Sequence, residues 1–312
     1  MAKRNGCRSG FHNEKGKCVR DIPRANIQRR DGLAGMPPMV ARVGGKTKLK
    51  KKLVDHVPDH KTYVEPFIGG GTLYWHLPLA EDKTVINDMD PALVKFYRDV
   101  QKRPSSNLVG CRLPTTKKEF EAAKASARKD GTYQDACDYL KVMKRSYGAK
   151  GMIFNMPIIE DRPNNQKFKS TSRMTRIISN ADMFQEKLNH TVIESDDFCT
   201  VMKKHDSKDA FHYLDPPYWD TPHKYGLPKV HPNDVAGCAN QMKGKVLVSY
   251  DNVPEVRRAF NGGKWKKKKH DTKYEMQSSN KGMRGKKKDV TELMIMNYNP
   301  KTGERIKPRT AG

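Results

Sequence analysis

Apolar residues along this chain gather in short runs broken by glycine, proline and charge, and two periods recur. In "TKLKKKLVDHVPDH" Leu49, Leu53 and Val57 fall at steps of four, which predicts an amphipathic helix stopping near Pro58. "TYVEPF" is β-branched and aromatic, a strand ending at Pro66. "GGGTLYWHL" then reads as a glycine turn opening a helix, and "KTVINDMD" as a second short strand. "PALVKFYRDVQ" follows as a helix, with Pro91 suited to its first turn. Strand, helix, strand, helix is the rhythm of a doubly wound α/β sheet.

From about residue 101 to 180 that rhythm breaks. "TKKEFEAAKASARK" and "YQDACDYLKVMKRSY" predict helices, "GAKGMIFNMP" is a Gly-bracketed hairpin candidate, and "EDRPNNQKFKSTSR" is polar. Strands return in "NHTVIESDDF", "DAFHYLDPP", "GKVLVSYDN" and "TELMIMNYN", with the helix "VPEVRRAFN" between the last two. Residues 1–30 show no apolar period, so a flexible basic arm is expected there. The predicted organisation is an arm at 1–35, one α/β domain built from 36–100 and 181–312, and a mainly helical insertion at 101–180.

Charge sharpens the picture. The 312 residues carry a formal net charge of +26. Residues 1–60 hold 15 Lys and Arg against 5 Asp and Glu, and residues 264–288 hold 11 against 2. Such blocks imply a polyanionic partner, either nucleic acid or an anionic membrane surface. No amphipathic helix with a bulky apolar face accompanies them, which favours nucleic acid. No apolar run is long enough to span a membrane, and "MAKRNGCRSGF" lacks the apolar core of a signal peptide. The chain is therefore expected in an intracellular, reducing compartment. Its six cysteines are scattered without a C-x-x-C, so neither a metal site nor a disulfide framework is indicated. Cys7 and Cys18 could pair, but a reduced tail is expected.

Two segments carry candidate chemistry. After the first strand, Gly69, Gly70 and Gly71 let the backbone approach a ligand without Cβ interference. A nucleotide-like cofactor would also need an acid about twenty residues on, to bond ribose hydroxyls. Asp88 lies 19 residues after Gly69. A phosphate-binding loop at "GGKT" fails, because its first glycine would fall on Val40. The second segment is "LDPPYW". Pro216 and Pro217 lack N–H groups, so this backbone offers carbonyl acceptors and no competing donors. Asp215 adds a carboxylate and Tyr218 a flat face. An exocyclic amino group on a nucleobase asks for that combination. Trp75, Trp219 and Trp265 read as packing or surface anchors, and His212 and His270 have no metal-like partners in sequence.

With these blocks in order, the chain resembles the Dam-type DNA adenine methyltransferases, which use S-adenosylmethionine. The Gly-Gly-Lys segment is "RVGGKTKLKKKL", with Val43 where members carry an aromatic residue. The cofactor loop is "EPFIGGG", the Asn-Asp segment "NDMDPALVKFYRDV", and the Asp-Phe pair Asp197-Phe198. Asp-Pro-Pro-Tyr is present at 215–218. The resemblance implies a Rossmann-like methyltransferase sheet with an inserted target-recognition domain. It implies that Pro66, Phe67, Gly69 and Gly71 cradle the cofactor, with Lys46 near its methionine end. Asp88 would bind the ribose, and Asp197 and Phe198 the adenine part. Asp215, Pro216, Pro217 and Tyr218 would hold a base rotated out of double-stranded DNA. A monomer, no metal and a place in a restriction-modification setting complete the expectation. Transfer to a cytosine amino group and an inactive DNA-binding relative are the alternatives.

Overall fold

The computed structural model describes residues 11–14, 17–20, 33–40, 46, 49–102, 108, 111–128, 130–146, 177–219, 229–275 and 287–306. Two four-residue strands come first, β1 Phe11–Glu14 and β2 Lys17–Arg20, paired antiparallel. They form a hairpin inside the segment expected to be a flexible arm. Val43, the two glycines after it and the stretch 147–176, including the hairpin candidate "GAKGMIFNMP", lie outside the described residues.

The remaining strands are β3 Thr62–Glu65, β4 Lys83–Asn87, β5 Thr191–Glu194, β6 Ala210–Leu214, β7 Lys245–Asp251, β8 Lys266–Glu275 and β9 Lys287–Met296. They make one seven-stranded sheet in the order β5-β4-β3-β6-β7-β9-β8. Strands β5, β4, β3, β6 and β7 run parallel, while β9 enters antiparallel between β7 and β8. Described helices are α1 Lys50–Val54, α2 Pro91–Lys102, α3 Lys117–Ala125, α4 Ala136–Arg145, α5 Ala181–Asn189, α6 Phe198–Lys204, α7 Pro232–Gln241 and α8 Pro254–Ala259.

Alternate residues along each strand feed two separate cores, as the two-residue period of a strand requires. Phe211, Tyr213, Leu247, Met294 and Met296 join one core with Leu53 of α1, Phe96 of α2, Leu140 of α4 and Phe184 of α5. Leu214, Val246, Val248, Leu293 and Ile295 join the other with Met202 of α6, Val235 of α7 and Val256 of α8. Helices therefore cover both faces. The central strands are buried at nearly every position, β6 at all five, which is why their middles read as apolar runs. This is the doubly wound sheet expected from the sequence.

Two expectations change, and one strand is new. "GGGTLYWHL" forms a succession of turns from Gly69 to Leu77 instead of a helix. Leu73, Tyr74 and Trp75 are all buried, and Pro78 stops any continuation. The lysine block around Trp265 lies in the ten-residue edge strand β8, which the sequence did not disclose. Lys266 to Lys269 are all exposed, so it shows no alternation to read, and lysines on an edge strand discourage pairing with a second sheet. Cysteine spacing also misled. Cys111 pairs with Cys137 and Cys199 with Cys238 as disulfides, because folding brings residues 26 and 39 positions apart into contact. The expectation of a reduced chain without such bridges is corrected at these four positions.

Between α2 and α5, α4 docks onto α2, and α3 packs on α4 through Phe120, Ala123 and Val142. Phe96 of α2 stacks on Tyr139 of α4, with ring centroids 5.1 Å apart and 30° between planes. Helix α3 begins with a capping box in which Thr116 and Glu119 satisfy each other's backbone N–H groups. Trp75 stands edge-on to Phe184 of α5 at 5.0 Å, so the turns after β3 are packed as tightly as a helix would be.

Below the same turns lies a buried cation. Lys187 of α5 is fully buried, and its ammonium donates to the carbonyls of Leu33, Tyr74 and Leu77 at 3.1, 2.8 and 2.5 Å. It also faces the Tyr74 ring at 4.8 Å. Burial pulls its pKa down to about 7. Three inward-facing carbonyls depend on this one side chain. Lys187→Met should destabilise the protein by about 2–4 kcal/mol, read as a lower denaturant midpoint at unchanged slope.

Candidate active site

All candidate residues stand at or beside the carboxyl ends of the parallel strands. Strands β3 and β6 are neighbours, with Thr62 opposite Ala210 and Val64 opposite His212. From β3 the chain moves outward to β4 on one side, and from β6 to β7 on the other. The crevice between them is a topological switch point, where open α/β sheets bind ligands. The loop after β3 holds the glycines, and the loop after β6 holds Asp215 to Tyr218.

The glycine loop adopts a shape that its residues require. Gly69 and Gly71 have φ of +46° and +68°, in the left-handed region. A Cβ on Gly71 would meet Trp75 at 3.0 Å, whereas one on Gly69 would meet nothing within 4 Å. The loop is therefore packed on one side and open on the other. The Asp88 carboxylate accepts from the Gly69 N–H at 2.9 Å and from the Asp90 N–H at 3.0 Å. Asp90, not Asp88, caps the following helix, accepting from Ala92 and Leu93. The acid expected near the loop is in contact with it.

Asp197 caps α6 by accepting from Cys199 and Thr200 at 2.9 and 3.1 Å, and its side chain remains exposed. Phe198 is buried and leans on Phe67, with ring centroids 5.1 Å apart and 30° between planes. These rings join the β3 loop to the start of α6. Asp197 and Phe198 also line an open depression with Asn233, Asp234 and Cys238 of α7 and the neighbouring Cys199.

Asn87, which opens the Asn-Asp segment but was given no role of its own in the sequence, holds the two halves together. Its side-chain amide donates to the carbonyls of Pro66 and Asp196, both at 3.0 Å, and accepts from the Asp196 N–H at 2.9 Å. The signal available was an amide closing an apolar strand. It ties the glycine loop to the Asp197-Phe198 corner.

On the other side of the switch point, Asp215 is partly exposed and its Oδ1 is crowded with donors. The Ser249 hydroxyl donates to it at 2.9 Å, and the Lys46 ammonium lies 2.7 Å away. Ser249 stands one position beyond Val248, which pairs with Leu214, so strand register sets this contact. The Tyr213 hydroxyl stands 3.1 Å from Ser249 Oγ and extends the chain inward. Burial first, then the nearby Asp215 carboxylate, pushes the Tyr213 pKa well up, so its proton is retained. Pro216 is buried, Pro217 exposed, and the segment 215–218 takes no regular structure. Tyr218 lies 6.4 Å from the Tyr250 ring at 30°, and the Lys46 ammonium sits 4.3 Å from the centre of the Tyr218 ring.

Lys46 thus stands in the Asp215–Tyr218 corner. It is 2% exposed, and its second carboxylate neighbour is Glu292 of β9 at 3.9 Å. Ser249 and Glu292 were missed in the sequence, although each is a polar residue set in an apolar strand. Trp75 and Trp265 are buried packing residues, and Trp265 donates its N–H to Asn240 at 3.2 Å. His212 is buried against Asp206 at 3.1 Å. Among the described residues no cluster of three or more metal-ligating side chains occurs, and no helix is long and apolar enough to cross a membrane.

This geometry coincides with a sequence match. Residues 43–276 fit the profile of the D12 class N6 adenine-specific DNA methyltransferases. The chain belongs to that family. It is similar to the type II methyltransferase M.CviBI of Paramecium bursaria Chlorella virus NC1A, 24% identical over 84% of this chain and 100% of that protein. It is also similar to the type II methyltransferase M1.LlaDCHI of Lactococcus lactis subsp. cremoris, 28% identical over 58% of this chain and 65% of that protein. Family membership makes this protein an adenine-specific DNA methyltransferase, and the cytosine and inactive-relative alternatives give way to it. The mixed seven-stranded sheet is the methyltransferase-like α/β fold.

The Asn87 bridge yields a check on how the site is built. Asn87→Ala leaves buried groups of Pro66 and Asp196 unpaired. It should lower stability by about 2–3 kcal/mol and weaken cofactor binding at least about tenfold, measured by thermal unfolding and by calorimetric titration.

Proposed function

We propose that this enzyme uses S-adenosylmethionine to methylate the exocyclic amino group of an adenine rotated out of double-stranded DNA. The observation that carries the reading is the pairing of β3 with β6, which sets the glycine loop and the Asp-Pro-Pro-Tyr segment side by side at one sheet edge. A cofactor and a base bound at that edge could touch.

The residues fit the cofactor. The open side of Gly69 and the adjoining Asp88 carboxylate suit a ribose, whose hydroxyls need acceptors. The Phe67–Phe198 pair offers an apolar wall for a purine, and the exposed Asp197 carboxylate an acceptor at its rim. Pro66 fixes the loop through its carbonyl to Asn87. When bound, the cofactor supplies an electrophilic methyl on a sulfonium.

The remaining chemistry belongs to the protein. A base inside a stacked duplex is out of reach, so it must swing out at a cost of a few kcal/mol. Tyr218, braced by Tyr250, presents a ring for the base to stack on. The Asp215 carboxylate and the Pro216 carbonyl accept from the amine and draw its lone pair out of conjugation. Ser249 holds Asp215 in position by its hydroxyl. Pro217 keeps the turn rigid and free of donors. The site orients and polarises, and strong base catalysis is not required of it.

Docking of the duplex falls to basic surfaces and the insertion. The β8–β9 ladder continues beyond Asp251, the last residue of β7, to the pair Glu275–Lys287. Five further pairs at about 3.3 Å each extend it roughly 16 Å past the sheet edge that bears the site. The exposed Lys266 to Lys269 of the edge strand β8 are suited to phosphate contacts. The segment 101–180, whose described helices interrupt the sheet domain, is assigned to base-edge readout, and the chain to work as a monomer.

Transfer of tritiated methyl groups to unmethylated DNA tests the assignment. Asp215→Ala should reduce incorporation at least about a thousandfold while leaving cofactor affinity within a few-fold of the parent. Undiminished incorporation in that variant would remove Asp215 from the chemistry.

A further inference from the structure

Lys46 makes the two contacts that the reading above gives to the target base. Its ammonium lies 2.7 Å from the Asp215 carboxylate and 4.3 Å from the centre of the Tyr218 ring. A purine laid on the ring face covered by Lys46 would need the volume of that ammonium. Both groups are donors, and Asp215 Oδ1 already receives the Ser249 hydroxyl. Base and lysine therefore compete for one corner.

A buried ammonium cannot simply leave its carboxylate, because an unpaired charge in this environment is strongly disfavoured. The fold supplies a second partner. Glu292 is 0% exposed, and its Oε2 stands 3.9 Å from the Lys46 nitrogen. A shift of about 1 Å converts that separation into a direct charge-assisted hydrogen bond. The position of Glu292 is fixed by the sheet, opposite Asp251 of β7 and His270 of β9's other neighbour, β8. Residues directly opposite share a face, so Asp251 and Glu292 form an acidic pair, and a cation moving toward them is drawn in. His270 is itself buried, and burial first, then the nearby Lys52 and Lys268, lowers its pKa, so it adds no second cation beside Glu292.

We propose that Lys46 is a two-position latch on the target-base site, resting on Asp215 and Tyr218 before a base arrives and on Glu292 once the base has entered. The proposal rests on the methyl-transfer reading and adds a positioning role for two residues. Lys46 moves between carboxylates without passing through an unpaired state. Glu292 never touches the base, and acts through Lys46.

The test is a double-mutant cycle in steady-state methylation of unmethylated DNA, with KM measured separately for DNA and for S-adenosylmethionine, and thermal midpoints alongside. Glu292→Gln removes the receiving carboxylate and should raise the DNA KM about five- to tenfold, with cofactor KM within about twofold. Lys46→Met removes the competitor and should lower the DNA KM at least about threefold, whatever it does to kcat. In the Lys46→Met background, Glu292→Gln should no longer change the DNA KM. The latch is overturned if Lys46→Met raises the DNA KM, or if the Glu292→Gln effect is absent or persists undiminished without Lys46. Should Glu292→Gln fold poorly, Lys46→Met alone still decides the sign. A parent enzyme that places no methyl groups on DNA removes the underlying reading and the latch with it, whereas an active parent with unmoved KM values removes the latch alone.

Discussion

One parallel strand pairing governs the rest of this molecule. Three residue pairs join β3 to β6, although the two strands are separated by more than a hundred residues of chain. Parallel strands put both carboxyl ends on one edge, so the loop after each must emerge at the same place. Had β6 entered antiparallel, Asp215 and the glycine loop would lie at opposite ends of the sheet. The intervening chain, with α2 to α6 and the strands β4 and β5, can vary in length without moving either loop. That freedom is why a mainly helical segment can be accommodated between α2 and α5 while the site stays intact.

The edge so created gathers carboxylates at a density that needs explaining. Glu65 is fully buried one residue before Pro66, its hydrogen bond from Tyr63 is 2.6 Å, and burial pushes its pKa well above the ordinary range. Asp215, Asp251 and Glu292 follow along the same edge. Two buried lysines offset them from different sides. Lys46 faces Asp215 and Glu292, and Lys187 lies behind Glu65 as a cation held by backbone carbonyls. Neither pairing is a simple surface ion pair, so each fixes geometry rather than adding screened attraction. Long-stemmed lysines reach these places only because the stems lie along apolar surface.

What the sequence disclosed follows from which interactions are local. Strands β3, β4, β6 and β7 were legible because two-sided burial makes their middles apolar, and Pro66 and Pro216 mark the ends of β3 and β6. The glycine loop, Asp88 and Asp215 to Tyr218 were legible because backbone permissiveness and donor-free prolines leave compositional traces. Edge strand β8 was hidden, since lysines on both of its faces erase the two-residue period. Asn87, Ser249 and Glu292 were hidden for another reason. Each acts on a group brought near by sheet register, and register is not written in any short window. The disulfides Cys111–Cys137 and Cys199–Cys238 were invisible on the same grounds. The turns at 69–77 misled because their apolar spacing suits a helix, while the packing of Trp75 under Gly71 demands something tighter.

The signs of charge at the centre and at the margin are opposed, and that opposition does physical work. The chain as a whole carries +26, yet Asp88, Asp197, Asp215, Asp251 and Glu292 concentrate negative charge along the sheet edge. A pocket of that kind attracts amines and cations and repels phosphate. Lys266 to Lys269, exposed on the edge strand β8, do the reverse. On the reading proposed above, a nucleic acid approaching this surface would be held by its backbone at the margin and kept from burying that backbone at the centre. The part of the polymer that can enter is then the part with hydrogen-bond donors and no charge, which is the amino edge of a base. On the methyl-transfer reading proposed above, selection of base over backbone would begin with this field, before any specific contact is made. It weakens with added salt at the exposed lysines more than at the buried carboxylates, because screening acts on solvent-facing charges first.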